Sequence, residues 1–161
     1  MGISWLDGLL LSVAVLLILW EIRRDLGQAL FDTMAVLLGL RLALWLGPAL
    51  AVQLTYWHPN QARAVALVSL FVAGAGIGLV LGFYLNAVTR WTLDSFDRVV
   101  GVMLGFSSAV IVCHVIVAGL ALYYGSHAGP PAFVTGSPLG HEALSFRTFQ
   151  EVLDFFDRLH A

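Results

Sequence analysis

The stretch from Asp94 to Tyr124, DSFDRVVGVMLGFSSAVIVCHVIVAGLALYY, limits the fold of this chain more than any other. After a short charged cluster it runs on with no acidic or basic residue except His114. A bilayer needs about 20 mostly apolar residues to cross, and this stretch exceeds that. Asp94 or Ser95 can cap the helix, and Asp97 can sit in its first turn, where free N–H groups and the positive dipole end favour a carboxylate. Gly101, Gly105, Ala109 and Cys113 then recur every four residues and flatten one helical face. Upstream, Gly74, Gly78 and Gly82 repeat the pattern, and Asn86 and Arg90 continue their row. Small residues in register let helix backbones approach closely where lipid supplies no hydrophobic drive. These two glycine-lined helices are therefore expected to form the packed centre of an all-α membrane protein.

The composition agrees. Of 161 residues, 60% are hydrophobic and 11% charged, against about a quarter charged in soluble domains. The net charge of −2 and the lack of a basic patch with interleaved aromatics exclude nucleic-acid binding as an expectation. The single Cys113 lies inside an expected span, which excludes a disulfide framework.

The first apolar segment covers residues 3 to 20, with Trp5 and Asp7 at one end and Trp20 at the other, as in the aromatic belts of the two interfaces. It has no positive side chain before Arg23 and is followed by EIRRD, so it reads as an uncleaved anchor. Glu21 to Gln28 reads as a short polar link. The second segment, from Ala29 to about Leu54, carries Asp32, Arg41 and Pro48. Pro48 is expected to kink or end it. Nine Leu, Val or Phe residues between 29 and 47 favour insertion by about 4 kcal/mol, while a central Arg opposes it by about 3. This segment needs neighbouring helices, or it lies partly in the interface. Tyr56, Trp57 and His58-Pro59-Asn60 read as a turn-rich surface loop. The third segment, Ala64 to Leu85, has no charge and is the clearest span. The expected division is a four-helix transmembrane domain over 1–124 and a tail over 125–161. That tail reads as a flexible Gly/Pro/Ser stretch from Gly125 to Gly140, then an amphipathic helix from about Glu142 to Leu159. On that helix Phe149, Val152, Leu153 and Phe156 share one stripe.

Arginine placement gives the orientation. Arg23 and Arg24 follow the first span, and Arg90 and Arg98 follow the third, while the intervening link holds only Arg63. The positive-inside rule then puts both termini outside the cytoplasm.

Trp5-x-Asp7 at the opening of the first span, and Asp97-Arg98-x-x-Gly101-x-x-x-Gly105 at the opening of the last, form a recognisable combination. With four spans in about 160 residues, the chain resembles the colicin V production protein family of bacterial inner-membrane proteins. The resemblance covers nearly the whole chain. It implies an accessory or scaffold role in toxin production or export and in envelope homeostasis, in the inner membrane. Two departures stand out. Arg24 and Gly27 follow each other in the reverse of the family's usual order, and Ser107 and Ser108 stand where members often carry an arginine.

No catalytic, cofactor or metal residues are expected. Gly105-Phe106-Ser107-Ser108-Ala109 faintly resembles a nucleophile elbow, which requires a strand-to-helix turn and a base. Gly74-x-Gly76-x-Gly78 follows no strand and so is not a phosphate loop. His58, His114, His127, His141 and His160 show no metal-ligand spacing. His114 is expected to bond a backbone or serine oxygen of a neighbouring helix. Intramembrane polar residues are functional candidates by default, here Asp32, Arg41, Asn86 and His114. Asp32 lies near enough to its segment start to reach water. It sits about 180° from Arg41 around a helix, so the two cannot pair within their own segment. The expected partners are the bilayer and either a second copy or other envelope and export proteins. The rival reading is a channel or transporter subunit, in which oligomers line a path with Arg41, Asn86, Asp97 or His114.

Overall fold

The computed structural model describes residues 4–89, 97–125 and 129–145. It contains α1 (Trp5–Ile22), α2 (Leu26–Gln53), α3 (Pro59–Thr89), α4 (Asp97–Tyr124), α5 (Ala132–Thr135) and α6 (Pro138–Ser145). The chain is all-α, and four of these helices are long and apolar enough to cross a membrane.

Local chemistry sets the helix ends. Ser4 caps α1: its hydroxyl accepts from the Leu6 N–H at 3.4 Å, and its own N–H donates to the Asp7 carboxylate at 3.0 Å. That reciprocal pair satisfies two of the donors a helix start leaves open. Asp25 is the N-cap residue of α2, and its carbonyl accepts from the Ala29 N–H at 3.0 Å. Pro59 opens α3, where its missing N–H costs nothing and its fixed φ suits the first turn. The helix thus begins at His58-Pro59-Asn60, a stretch the sequence suggested was loop. Pro48 does not end α2, which continues to Gln53. One lost hydrogen bond is tolerated in so long a membrane helix, because neighbouring helices and local adjustments satisfy the freed carbonyl.

The helices pack as two antiparallel pairs, α2 with α3 and α1 with α4, and α4 joins the pairs by touching both α2 and α3. The two glycine rows do not meet each other. The α3 row faces α2, and the α4 row faces α1. A Cβ at Gly74 would lie 2.9 Å from the Gly39 Cα, and one at Gly78 only 2.6 Å from the Ala35 Cβ. At Gly82 it would lie 2.8 Å from the Phe31 Cβ. One apolar core gathers Val36, Ala43, Phe71, Ile111 and Val115 between the pairs. A second gathers Leu6, Leu10, Cys113 and Val117 with Val134, which comes from beyond the last span. Outward-facing Leu16, Trp45 and Ile77 are exposed, as expected of helices solvated by lipid.

The segment after α4 is not simply a linker. Within the stretch expected to be flexible, α5 and the start of α6 form, and α6 packs on α1 and α4. The Ser137 hydroxyl caps α6 by accepting from the Gly140 N–H at 2.8 Å, with Pro138 as the first helical residue. Helix formation therefore begins at Pro138 rather than Glu142. The apolar stripe of Phe149, Val152, Leu153 and Phe156 lies outside the described residues.

Candidate functional site

Two polar constellations sit at opposite ends of the bundle. At the first, Asp7 ties the segment beyond the last span to the start of the first. Its Oδ1 accepts from the Ser137 hydroxyl at 2.5 Å and from the Leu139 N–H at 3.0 Å, while Oδ2 accepts from the Ser4 N–H. One carboxylate thereby serves two helix starts. Trp5 packs its ring against Phe133 of α5 at 5.7 Å, and Tyr124 meets Phe133 edge-on at 5.9 Å. Deeper in, His114 Nδ1 lies 2.7 Å from the Ala143 carbonyl and the Cys113 thiol points at the Leu10 carbonyl. Val134 and Ser137 are fully buried by this strap.

The second constellation lies where α1 turns into α2. The Glu21 and Asp32 side chains are 3% and 2% exposed, which is unusual for carboxylates in a chain with so little polar surface. Asp32 Oδ1 accepts from the Gln28 amide at 2.6 Å, and Oδ2 lies 3.9 Å from Arg24 Nη1. That spacing is ionic attraction without a hydrogen bond. The Arg24 guanidinium lies over the Trp20 ring, 4.6 Å from its centroid. Glu21 rests on the flat face of α4. A Cβ at Gly105 would lie 3.1 Å from the Glu21 Cβ, and one at Gly101 3.1 Å from the Glu21 carbonyl oxygen. Behind them Ser108 donates to the Thr33 hydroxyl at 3.1 Å, and Thr33 donates to the Leu104 carbonyl. Glu21 Oε2 and Asp32 Oδ2 are buried with no hydrogen-bond partner. Glu21, Asp32 and Arg24 lie within electrostatic reach of one another. Asp32 lines a groove of about 320 Å³ together with Trp20, Arg24, Gln28, Phe83 and Tyr84.

The residues singled out in the sequence thus scatter. Asp32 belongs to the buried cluster: at 2% exposed it is withdrawn between Gln28 and Arg24 rather than lying free at the segment start, and it lines the groove. Arg41 is exposed on α2, with no ion-pair partner among the described residues. The Asn86 side-chain oxygen is buried near the end of α3 without a hydrogen-bond partner. Asp97 and Arg98 open α4, but their side chains lie outside the described residues. Glu21, Arg24, Gln28 and Ser137 were not singled out. A signal existed for Gln28, which stands four residues before Asp32 on one helix, whereas Glu21 and Arg24 lie at the end of α1 and in the turn after it and had none. Among the described residues no three His, Cys, Asp or Glu side chains group as metal ligands.

The family model of the colicin V production protein matches residues 6–142, which takes in Asp7, Ser137 and the whole of the second constellation. The chain belongs to the colicin V production protein family. No curated protein and no solved structure matches it. The family match runs through Asp7, the two glycines of α4 and the strap, and ends within α6.

Proposed function

We propose that this member of the colicin V production family is a non-catalytic inner-membrane protein that supports toxin production or export and envelope homeostasis. It acts by holding an extracytoplasmic segment against its transmembrane helices, where an export or envelope protein, or a second copy, engages it. The strap at Asp7 carries this reading. Ser137, Leu139 and Phe133 are fixed to the first helix, so α5 and α6 form one body with the spans. A scaffold requires such a fixed surface, since a preordered segment loses less entropy when a partner binds. The arginine distribution supports an orientation with both termini outside the cytoplasm.

Complementation tests it. In a colicin V producer lacking its own copy, the wild-type chain is expected to restore secretion. Asp7→Ala and Ser137→Ala, present in the membrane at equal amounts, are expected not to. Full secretion with a released strap removes the scaffold reading.

A channel or transporter subunit is the second reading, favoured by Glu21 and Asp32, since buried ionisable groups within membrane helices mark ion and substrate paths. Liposome flux that disappears in Asp32→Asn or Asp97→Asn supports it, and silent liposomes with a co-purifying export partner support the first.

A further inference from the structure

The groove at Asp32 has the character of a zwitterion site. Its floor holds opposite charges side by side, the Arg24 guanidinium and the Asp32 carboxylate, 3.9 Å apart and not hydrogen-bonded to each other. Asp32 lines the groove although it is only 2% exposed, and its Oδ2 is buried without a hydrogen-bond partner. An unsatisfied carboxylate oxygen in that position calls for a donor from outside the chain. Gln28 already serves the other oxygen, which leaves Oδ2, 3.9 Å from Arg24, as the one without a donor. Glu21 and Asp32 share the single Arg24 guanidinium as their cationic neighbour. The walls are aromatic and apolar, with Trp20, Phe83 and Tyr84 all more than half exposed. Trp and Tyr favour the level of the lipid headgroups, and Trp20 and Tyr84 line the groove near the ends of α1 and α3.

We propose that this groove binds the headgroup of an aminophospholipid, phosphatidylethanolamine. The ammonium donates to Asp32 Oδ2, the phosphate faces Arg24, and the first acyl carbons lie along Phe83 and Tyr84. A primary ammonium offers three N–H donors, whereas the trimethylammonium of phosphatidylcholine offers none. Phosphatidylglycerol carries the phosphate but no cation to satisfy the carboxylate. The site therefore selects on a donor that carries positive charge, which the hydroxyls of phosphatidylglycerol lack, and the phosphate fixes the headgroup against the guanidinium. The inference goes beyond the scaffold reading and does not depend on it.

Native mass spectrometry of the full chain, released from nanodiscs of equimolar phosphatidylethanolamine, phosphatidylcholine and phosphatidylglycerol, tests the assignment. The wild type is expected to retain one phosphatidylethanolamine about tenfold over either competitor, the scale of a charge-assisted hydrogen bond gained or lost. Asp32→Asn is expected to bring that preference close to one, and Arg24→Gln to weaken retention of all three lipids. Equal retention of the three by the wild type overturns the proposal, and so does an undiminished preference in Asp32→Asn. Displacement by octylamine as readily as by the phospholipid overturns it too, because the phosphate then plays no part. Should Asp32→Asn fail to fold, the wild-type competition alone decides.

Discussion

Asp7 and Glu21 are two carboxylates of one helix with opposite surroundings. Asp7 accepts three hydrogen bonds from Ser4, Ser137 and Leu139, so its burial is compensated. Glu21 has an oxygen with no donor, and a buried carboxylate without a partner is a cost to the fold. The expected consequences of mutation differ accordingly. Ser137→Ala removes both the cap of α6 and a donor to Asp7. It is expected to lower stability by about 1–2 kcal/mol, the range for a lost N-cap, and to speed protease cleavage between α4 and α6. Unchanged cleavage would show that the strap is held by its apolar contacts alone. Glu21→Gln keeps the shape against Gly105 while removing the uncompensated charge. Its thermal midpoint in detergent is expected to equal or exceed that of the wild type, and that of Glu21→Ala to fall, since a gap opens against α4. At this scale the sequence was only half legible. Trp5-x-Asp7 drew attention to Asp7, but its partner Ser137 lies 130 residues away and carried no local signal. Glu21 was hidden for another reason: a charge next to an apolar segment looks like the edge of the membrane until a neighbouring glycine is seen to accommodate it.

The helices themselves were easier to read than their pairing. Length and hydropathy locate all four spans, and four-residue spacing locates the flat faces. Which face meets which helix is another matter. In lipid the outward surface is as apolar as the core, so the amphipathic pattern that orients a soluble helix is absent. Topology decides instead: the short turn at 54–58 brings α3 back along α2, and α4 returns along α1. For that reason the two glycine rows have different partners, the α3 row meeting α2 and the α4 row meeting α1. The resolved pairing gives a sharp prediction. Gly78→Leu must separate α2 from α3, because its Cβ would already overlap Ala35, and it is expected to cost about 3 kcal/mol or more. Gly76→Ala, on the same helix with nothing within 4 Å, is expected to be neutral. Thermal unfolding of the two variants in the same detergent separates close packing from a general intolerance of α3 to substitution. Equal midpoints would mean that α2 and α3 do not meet along Gly78.

For the molecule as a whole, orientation decides what the two polar ends can meet. Ser4, the 54–58 turn and α5–α6 share one end, and the Arg23–Asp25 link shares the other with Gly101 and Gly105. Arginines are held on the cytoplasmic side during insertion, and Arg23 and Arg24 lie at the second end. Labelling single cysteines with a membrane-impermeant maleimide, in a Cys113→Ala background, is expected to modify Tyr56→Cys in intact spheroplasts and Asp25→Cys only after lysis. Tyr56 is fully exposed, so lack of access through burial cannot explain a negative result. The reverse pattern would turn the strap toward the cytoplasm and remove its availability to an export or envelope partner. It would also move the Asp32 groove to the outer leaflet while leaving the chemistry of that groove intact. Replacing Arg23 and Arg24 together by Gln tests the cause. If these two charges set the orientation, the doubly substituted chain is expected to appear in both orientations, with Tyr56→Cys only partly labelled before lysis. If labelling stays complete, the arginines are there for the carboxylates of the buried cluster, and the remaining links determine the topology.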